Sequence, residues 1–265
     1  MSSVALTIAG SDPSGGAGIQ ADLKTFHQHG VYGTSVLTLM TAQNTRGVKG
    51  VECLSPQWVL DQLDAVLVDL PPVVAKTGAL GNAAIIEAIG RQIPRFGFPL
   101  IVDPVMISKH GHPLIDADGM EAMKQHVLPH AMLVTPNAPE AAVLAEMEID
   151  GLSAMERAAA LIAMRGVPHV LIKGGRLESQ CVDVLWSDGE LHRFASPRQD
   201  TTDTHGTGCV LSAAITARLA RGEDLPVAVQ NAKTFVTHAI RTAPGLGDGC
   251  GPVNLHADVP PPADH

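Results

Sequence analysis

The run Val4-Ala5-Leu6-Thr7-Ile8-Ala9-Gly10-Ser11-Asp12-Pro13-Ser14-Gly15-Gly16-Ala17-Gly18 decides the architecture, because it holds a strand, a tight turn and the opening of a helix in that order. Residues 4–9 are a short apolar run closed by glycine, which suits a strand buried on both faces. Residues 19–28 then follow as a helix. The alternation continues. Residues 36–41, 73–75, 100–102, 132–134 and 170–172 read as buried strands, and 56–70, 83–91, 119–128, 138–147 and 155–165 as helices. Such a pattern implies βαβ units and a mostly parallel sheet flanked by helices, an α/β fold. One pair departs from it. Residues 182–186 and 191–194 flank Ser187-Asp188-Gly189-Glu190, whose Asp-Gly step predicts an antiparallel hairpin at one edge.

In an open sheet of this kind, ligands bind beyond the carboxyl ends of the strands. Here those ends are Gly10-Ser11-Asp12, Gln43-Asn44, Lys76-Thr77-Gly78, Asp103-Pro104, Thr135-Pro136-Asn137 and Lys173-Gly174-Gly175. If the strands are parallel, all of these polar or glycine-bearing ends share one rim. Their convergence outweighs any single motif.

The segment Asp203-Thr204-His205-Gly206-Thr207-Gly208-Cys209 opens a further helix, with Leu211, Ile215 and Leu219 at helical spacing and Gly222 as its stop. Glycines at a helix start make an anion site, since unpaired N–H groups and the positive dipole end point the same way. The same field should ease ionisation of the Cys209 thiol. A buried helix start with a small apolar cysteine is the plainer explanation, but it does not require glycine at both 206 and 208.

Other motifs are weaker alone. Asp12–Gly18 is not G-x-G-x-x-G, and no G-x-x-x-x-G-K-[ST] phosphate loop occurs in the chain. Asn137 and Glu140 sit three apart on one helix face, and hard oxygen donors of this sort suit Mg²⁺ beside phosphates. An N-cap Asn with a first-turn Glu is equally a common helix start. Lys173 could set a cation beside phosphates or be a solvated lysine in a turn. The twelve histidines include no H-x-x-x-H pair on a helix, so His27, His29, His110 and His112 read as exposed or loop residues. Residues 109–113 could form a flap over the rim.

With 45% hydrophobic and 17% charged residues, the 265-residue chain can build a sizeable core, as one large domain or two small ones. A net charge of -9 disfavours nucleic acid and anionic membranes as partners. The four cysteines are far apart, which gives neither a disulfide framework nor a zinc pattern. The chain reads as cytoplasmic, with residues 260–265 as a loose tail.

Taken together, these motifs resemble the ribokinase-like superfamily, and within it the hydroxymethylpyrimidine/phosphomethylpyrimidine kinases of thiamine biosynthesis. The resemblance runs from Val4 to about Pro252. It is carried by residues 9–24, Ala42-Gln43-Asn44-Thr45, Asp103-Pro104-Val105-Met106, Thr135-Pro136-Asn137-Ala138-Pro139-Glu140, Lys173-Gly174-Gly175 and His205-Gly206-Thr207-Gly208-Cys209. It implies one ribokinase-like kinase domain over residues 1–265, with about 253–265 as a loose C-terminal tail. It further implies a homodimer using ATP and Mg²⁺ on a small pyrimidine, phosphorylating the hydroxymethyl alcohol and then its monophosphate. By this resemblance Gly206, Thr207 and Gly208 form the anion hole and Cys209 is the catalytic base. Asn137, Lys173 and Gly175 serve the nucleotide, Glu140 the metal, and Gly10, Asp22, Gln43 and Val105 line the pyrimidine pocket. Some relatives phosphorylate pyridoxal and carry a flap cysteine where this chain has Ser108, which weighs against pyridoxal as the main substrate. A nicotinamide-dependent oxidoreductase is disfavoured by the missing fingerprint. A cysteine hydrolase built on Cys209 and His205 lacks an assignable orienting Asn or Asp. A ligand-sensing protein would not need both the anion hole and Cys209.

Overall fold

The computed structural model describes residues 3–177 and 180–259. Among these, nine strands form one sheet in the order β3-β2-β1-β4-β5-β6-β7-β8-β9. They are β1 (Val4–Ser11), β2 (Tyr32–Asn44), β3 (Gly47–Cys53), β4 (Val74–Thr77), β5 (Leu100–Val102), β6 (Leu133–Val134), β7 (His169–Leu177), β8 (Gln180–Ser187) and β9 (Glu190–Pro197). The strands from β2 to β7 in that order pair parallel, while β3, β8 and β9 are antiparallel to their neighbours. The sheet is thus parallel with an antiparallel hairpin, as expected. The Asp188-Gly189 turn has both residues at positive φ, 52° and 84°, and closes on the pair Ser187↔Glu190.

Period-2 alternation sorts the side chains between two layers. On β1, Leu6 and Ile8 join Val59 of α2 (Pro56–Asp69), Ile86 of α3 (Ala83–Gly90), Met123 of α4 (Ala117–His126), Leu144 of α5 (Ala138–Ala145) and Ile162 of α6 (Leu152–Met164). Ala5 faces the other way, with Phe26 of α1 (Gly18–Gln28), Ile215 of α7 (Thr207–Ala220) and Phe235 of α8 (Leu225–Arg241). None of the described helices is long and apolar enough to cross a membrane.

Two strand-level findings go beyond the sequence reading. β3 was not expected, because glycines at 47 and 50 interrupt its apolar pattern, yet it pairs with β2 from Leu39↔Cys53 to Asn44↔Gly47. The expected tail also starts too early. Val253, Leu255 and Ala257 are buried in the α1/α7/α8 layer, and the Gln28 amide donates to the Ala257 carbonyl at 2.9 Å. Alternating apolar residues tie this segment down; residues 260–265 lie outside the described residues.

The chain leaves β1 toward β2 on one side and returns to β4 on the other, so the strand order switches between β1 and β4. α7 packs against both of these strands, and its N-terminus meets their carboxyl ends. A parallel sheet offers its crevice at such a switch.

Candidate active site

The floor of the site is the start of α7. Gly206 caps it at φ 79°, a left-handed conformation that favours glycine. A Cβ at Gly206 would lie 1.7 Å from the Gly16 carbonyl oxygen. The loops before α1 and before α7 therefore touch backbone to backbone. The Thr207 hydroxyl donates to the Thr204 carbonyl at 2.7 Å and so shapes the turn itself. First-turn N–H groups at Gly208 and Cys209 lack helical partners and lie at the positive end of the helix. Gly208 faces Lys173: a Cβ there would come within 3.3 Å of Lys173 Nζ and 4.0 Å of Asp103 Oδ2.

Lys173 is no solvated turn residue. Its ammonium donates to Asp103 Oδ1 at 2.8 Å, with the two side chains 12% and 2% exposed. The other Asp103 oxygen accepts from the Ser212 hydroxyl at 3.1 Å. Burial lowers the Lys173 pKa, but Asp103 and Glu140 outweigh it and leave the group above its ordinary value, hence charged. The next residue, Gly174, takes φ 80°. Its N–H donates to Asp183 at 2.8 Å, and Asp183 is held in turn by Lys233 at 2.8 Å. Gly175 continues β7 opposite Val182.

Asn137 and Glu140 form a complete capping box at the start of α5. Glu140 N donates to Asn137 Oδ1 at 2.9 Å, and Asn137 N to Glu140 Oε2 at 2.8 Å. Glu140 Oε1 accepts a longer bond from Met106 N at 3.4 Å. Both residues thus fulfil the helix-start role, and the strand pairing of Asn137 with Lys173 brings them to the same rim. Burial raises the Glu140 pKa, against the pull of Lys173.

Cys209 corrects the expectation of an easily ionised thiol. Burial first, then Asp22 and Asp103, push it up to about 11, against the pull of Lys76 and the Gly18 N–H. Local desolvation and nearby carboxylates outweigh the helix field. Asp22 corrects a second expectation. It does not line a pocket: it is wholly enclosed, accepting from Lys76 Nζ at 2.7 Å and from Thr7 Oγ1 at 2.6 Å. This pair lies beneath Cys209. Burial raises the Asp22 pKa, while Lys76 stays above its ordinary value because Asp22, Cys209 and Asp103 outweigh its own desolvation.

On the ring side, Gly10 is buried, and a Cβ there would meet Leu39 Cδ1 at 2.5 Å, so its role is close strand packing. Val105 is half-buried at the rim, its N–H bonded to the Asp103 carbonyl at 2.9 Å. Gln43 lies 3.1 Å from His205 Nε2, which also meets Asp12 Oδ2 at 2.8 Å. Asp12 accepts from Ser14 N, Ser14 Oγ and Ala17 N as well. Burial alone would raise its pKa, but its bonds from His205 and Ser14 win and lower it. A depression of ≈ 280 Å³ lined by Pro13, Ala42, Gln43, Asn44 and Lys49 opens beside Gln43. The flap is closed by the bridge Ile107↔Pro113. Its His110 is half-buried rather than exposed and donates Nε2–H to the Thr45 carbonyl at 2.9 Å, with its ring 6.1 Å from that of His205.

From the sequence, Asp12, Lys76 and Asp103 are only strand-end residues of the rim and His205 only a weighed partner of Cys209, so their mutual pairings were missed. Each carried one usable signal, a charged or imidazole side chain at the end of an apolar run or beside paired glycines.

A family model described as phosphomethylpyrimidine kinase matches residues 12–254. The hydroxymethylpyrimidine/phosphomethylpyrimidine kinase of Synechococcus elongatus is 46% identical over 94% of this chain and 96% of its own. The thiamine biosynthesis bifunctional protein ThiED of Geobacter sulfurreducens is 48% identical over 94% of this chain. This chain spans about half, 51%, of that longer relative. Among solved structures, Staphylococcus aureus pyridoxal kinase in complex with AMP-PCP superposes with a TM-score of 0.90 at 35% identity, covering 97% of this chain and 95% of its own. The fold and rim define a ribokinase-like kinase. The chain belongs to the phosphomethylpyrimidine kinase family.

Proposed function

We propose that this chain transfers the γ-phosphoryl group of ATP to 4-amino-5-hydroxymethyl-2-methylpyrimidine and then to the resulting monophosphate, in thiamine biosynthesis. The observation that carries this reading is the glycine-capped start of α7, with Cys209 in its first turn and the Lys173–Asp103 pair against Gly208. Phosphoryl transfer is mostly positioning and charge stabilisation. The α7 N–H groups and Lys173 supply both for phosphate oxygens. Cys209 is the group placed to accept the proton that the attacking alcohol loses. Asn137 and Gly175 stand with Lys173 on the nucleotide side, and Gln43 and Val105 on the ring side. Asp22 acts from beneath through Lys76, and Gly10 through strand packing.

The donor set fits Mg²⁺. Asp103, Glu140 and the Asn137 amide carry hard oxygens beside Lys173, and each Glu140 oxygen accepts one backbone N–H while keeping a second lone pair. Among the described residues no cluster of His, Cys, Asp and Glu forms a metal cage. Mg²⁺ needs none, because it keeps several waters and binds through one or two carboxylates plus phosphates. When bound it would neutralise phosphate charge, with Asp103 and Glu140 orienting its waters. The reading includes one kinase domain over residues 1–265 acting as a homodimer in the cytoplasm, its mass in solution being checkable by light scattering.

The test is incubation with ATP, Mg²⁺ and the hydroxymethylpyrimidine, followed by mass analysis. Both the monophosphate and the diphosphate are expected; absence of either rejects the two-step reading. A second reading, pyridoxal phosphorylation, draws on the 0.90 superposition with a pyridoxal kinase. Ser108 in the flap counts against it, and the two alcohols supplied side by side decide.

A further inference from the structure

His205 Nε2 has two polar neighbours, Asp12 and Gln43, and the two cannot both be satisfied while Gln43 turns its NH₂ group to the ring. Asp12 Oδ2, at 2.8 Å, belongs to a carboxylate that already collects three other donors and can only accept. Nε2 therefore carries a hydrogen, whichever charge state the ring holds. Gln43 Nε2, at 3.1 Å, is also a donor, so two N–H groups would face each other. Amide oxygen and nitrogen are nearly isosteric, and a half-turn about the last side-chain torsion replaces the clash with an acceptor that shares the single Nε2 hydrogen with Asp12. His205 and Asp12 are each 3% exposed, so water reaches this contact only from the half-buried Gln43 side.

Resting on the proposed kinase reading, we infer that Asp12 and His205 are positioning residues that lock the Gln43 amide with its oxygen toward the histidine and its NH₂ group toward the substrate ring. The site then selects heteroaromatic rings that present an acceptor nitrogen at that edge, and the selectivity is set two residues away from the contact. The chain of bonds runs Ser14 and Ala17 to Asp12, Asp12 to His205, and His205 to Gln43. It starts in the turn after β1 and ends on β2, so the ring reader is aligned by the same loop that touches Gly206.

Gln43→Glu separates the two amide orientations. A carboxylate keeps an oxygen toward His205 but turns a second oxygen on the ring acceptor. The Michaelis constant for the hydroxymethylpyrimidine should rise about 10- to 100-fold, with that for ATP unchanged. If the ring normally faced the amide oxygen, Gln43→Glu would preserve that contact. An unchanged Michaelis constant would therefore overturn the inference. His205→Ala should raise the pyrimidine Michaelis constant several-fold more than that of ATP. His205→Gln, whose amide nitrogen can donate near the Nε2 position, should restore most of it. Equal effects on both substrates, or no rescue, would assign His205 to the anion-hole turn alone and overturn the positioning role. Wild-type protein inactive on the pyrimidine would instead reject the underlying kinase reading.

Discussion

Lys76 and Asp22 form an ion pair 2.7 Å long in which neither side chain has any exposed surface. Removing one partner leaves a buried charge uncompensated, whereas removing both leaves a void without a charge. Lys76→Met or Asp22→Asn alone should therefore cost about 3–5 kcal/mol of folding stability, and the double variant clearly less than the sum. Denaturant midpoints of the four proteins give the coupling. Additive losses would mean that the pair is not a unit.

The alcohol step should quicken as pH rises from neutral toward the Cys209 pKa of about 11, because a base must first shed its own proton. Cys209→Ala should remove that slope and slow the alcohol step by about 10²- to 10⁴-fold. Phosphorylation of the monophosphate should suffer much less, since its nucleophile, with a second pKa near ~6, is already largely deprotonated. Measuring both rates from pH 7 to 9 checks this. An equal loss in both steps would make Cys209 a shaping residue of the anion hole.

His29 sits against Phe235 with ring centroids 4.6 Å apart, and its pKa is pushed down to about 4, chiefly by burial. The unfolded chain binds its proton near pH 6.5, the folded one only near 4. The stability tied to neutral His29 is thus full above 6.5 and drains away as pH falls toward 4, by about 3 kcal/mol in all. Thermal melts of wild type and His29→Gln across that window should converge at acid pH. Parallel curves would show that His29 does not contribute.

Truncation sorts the end of the chain. A protein ending after residue 259 keeps the buried Val253, Leu255 and Ala257 and serves as the reference. One ending after Gly251 loses the buried Val253, Leu255 and Ala257 and the strand-like bridge His205↔Pro252. It should be several kcal/mol less stable, at about 25 cal/mol per Å² of apolar surface re-exposed. Equal melting of both would return residues 253–259 to the tail.

The parallel sheet was legible because its strands are apolar on both faces, and the rim because each strand ends in glycine or a polar residue. The glycine-capped start of α7 could be read from Gly206 and Gly208, and the hairpin from Asp188-Gly189. Pairing across the rim could not be read. That Asp22 pairs with Lys76, and that Asp103 holds Lys173, depends on helix and strand positions remote in sequence. The field of a helix end was visible at Cys209; the carboxylates that outweigh it were not. Likewise β3 hides behind its glycines, since its stability comes from β2 rather than from its own pattern.

The backbone contact between Gly16 and Gly206 joins two loops that are remote in sequence. Gly16 and Gly206 are 190 positions apart in the sequence, so the first loop is made well before its partner. Until then the turn after β1 has nothing to close against, and the Asp12 carboxylate has no His205 to hold. The turn before α7 and the turn after β1 therefore take their shape only together, once both are present.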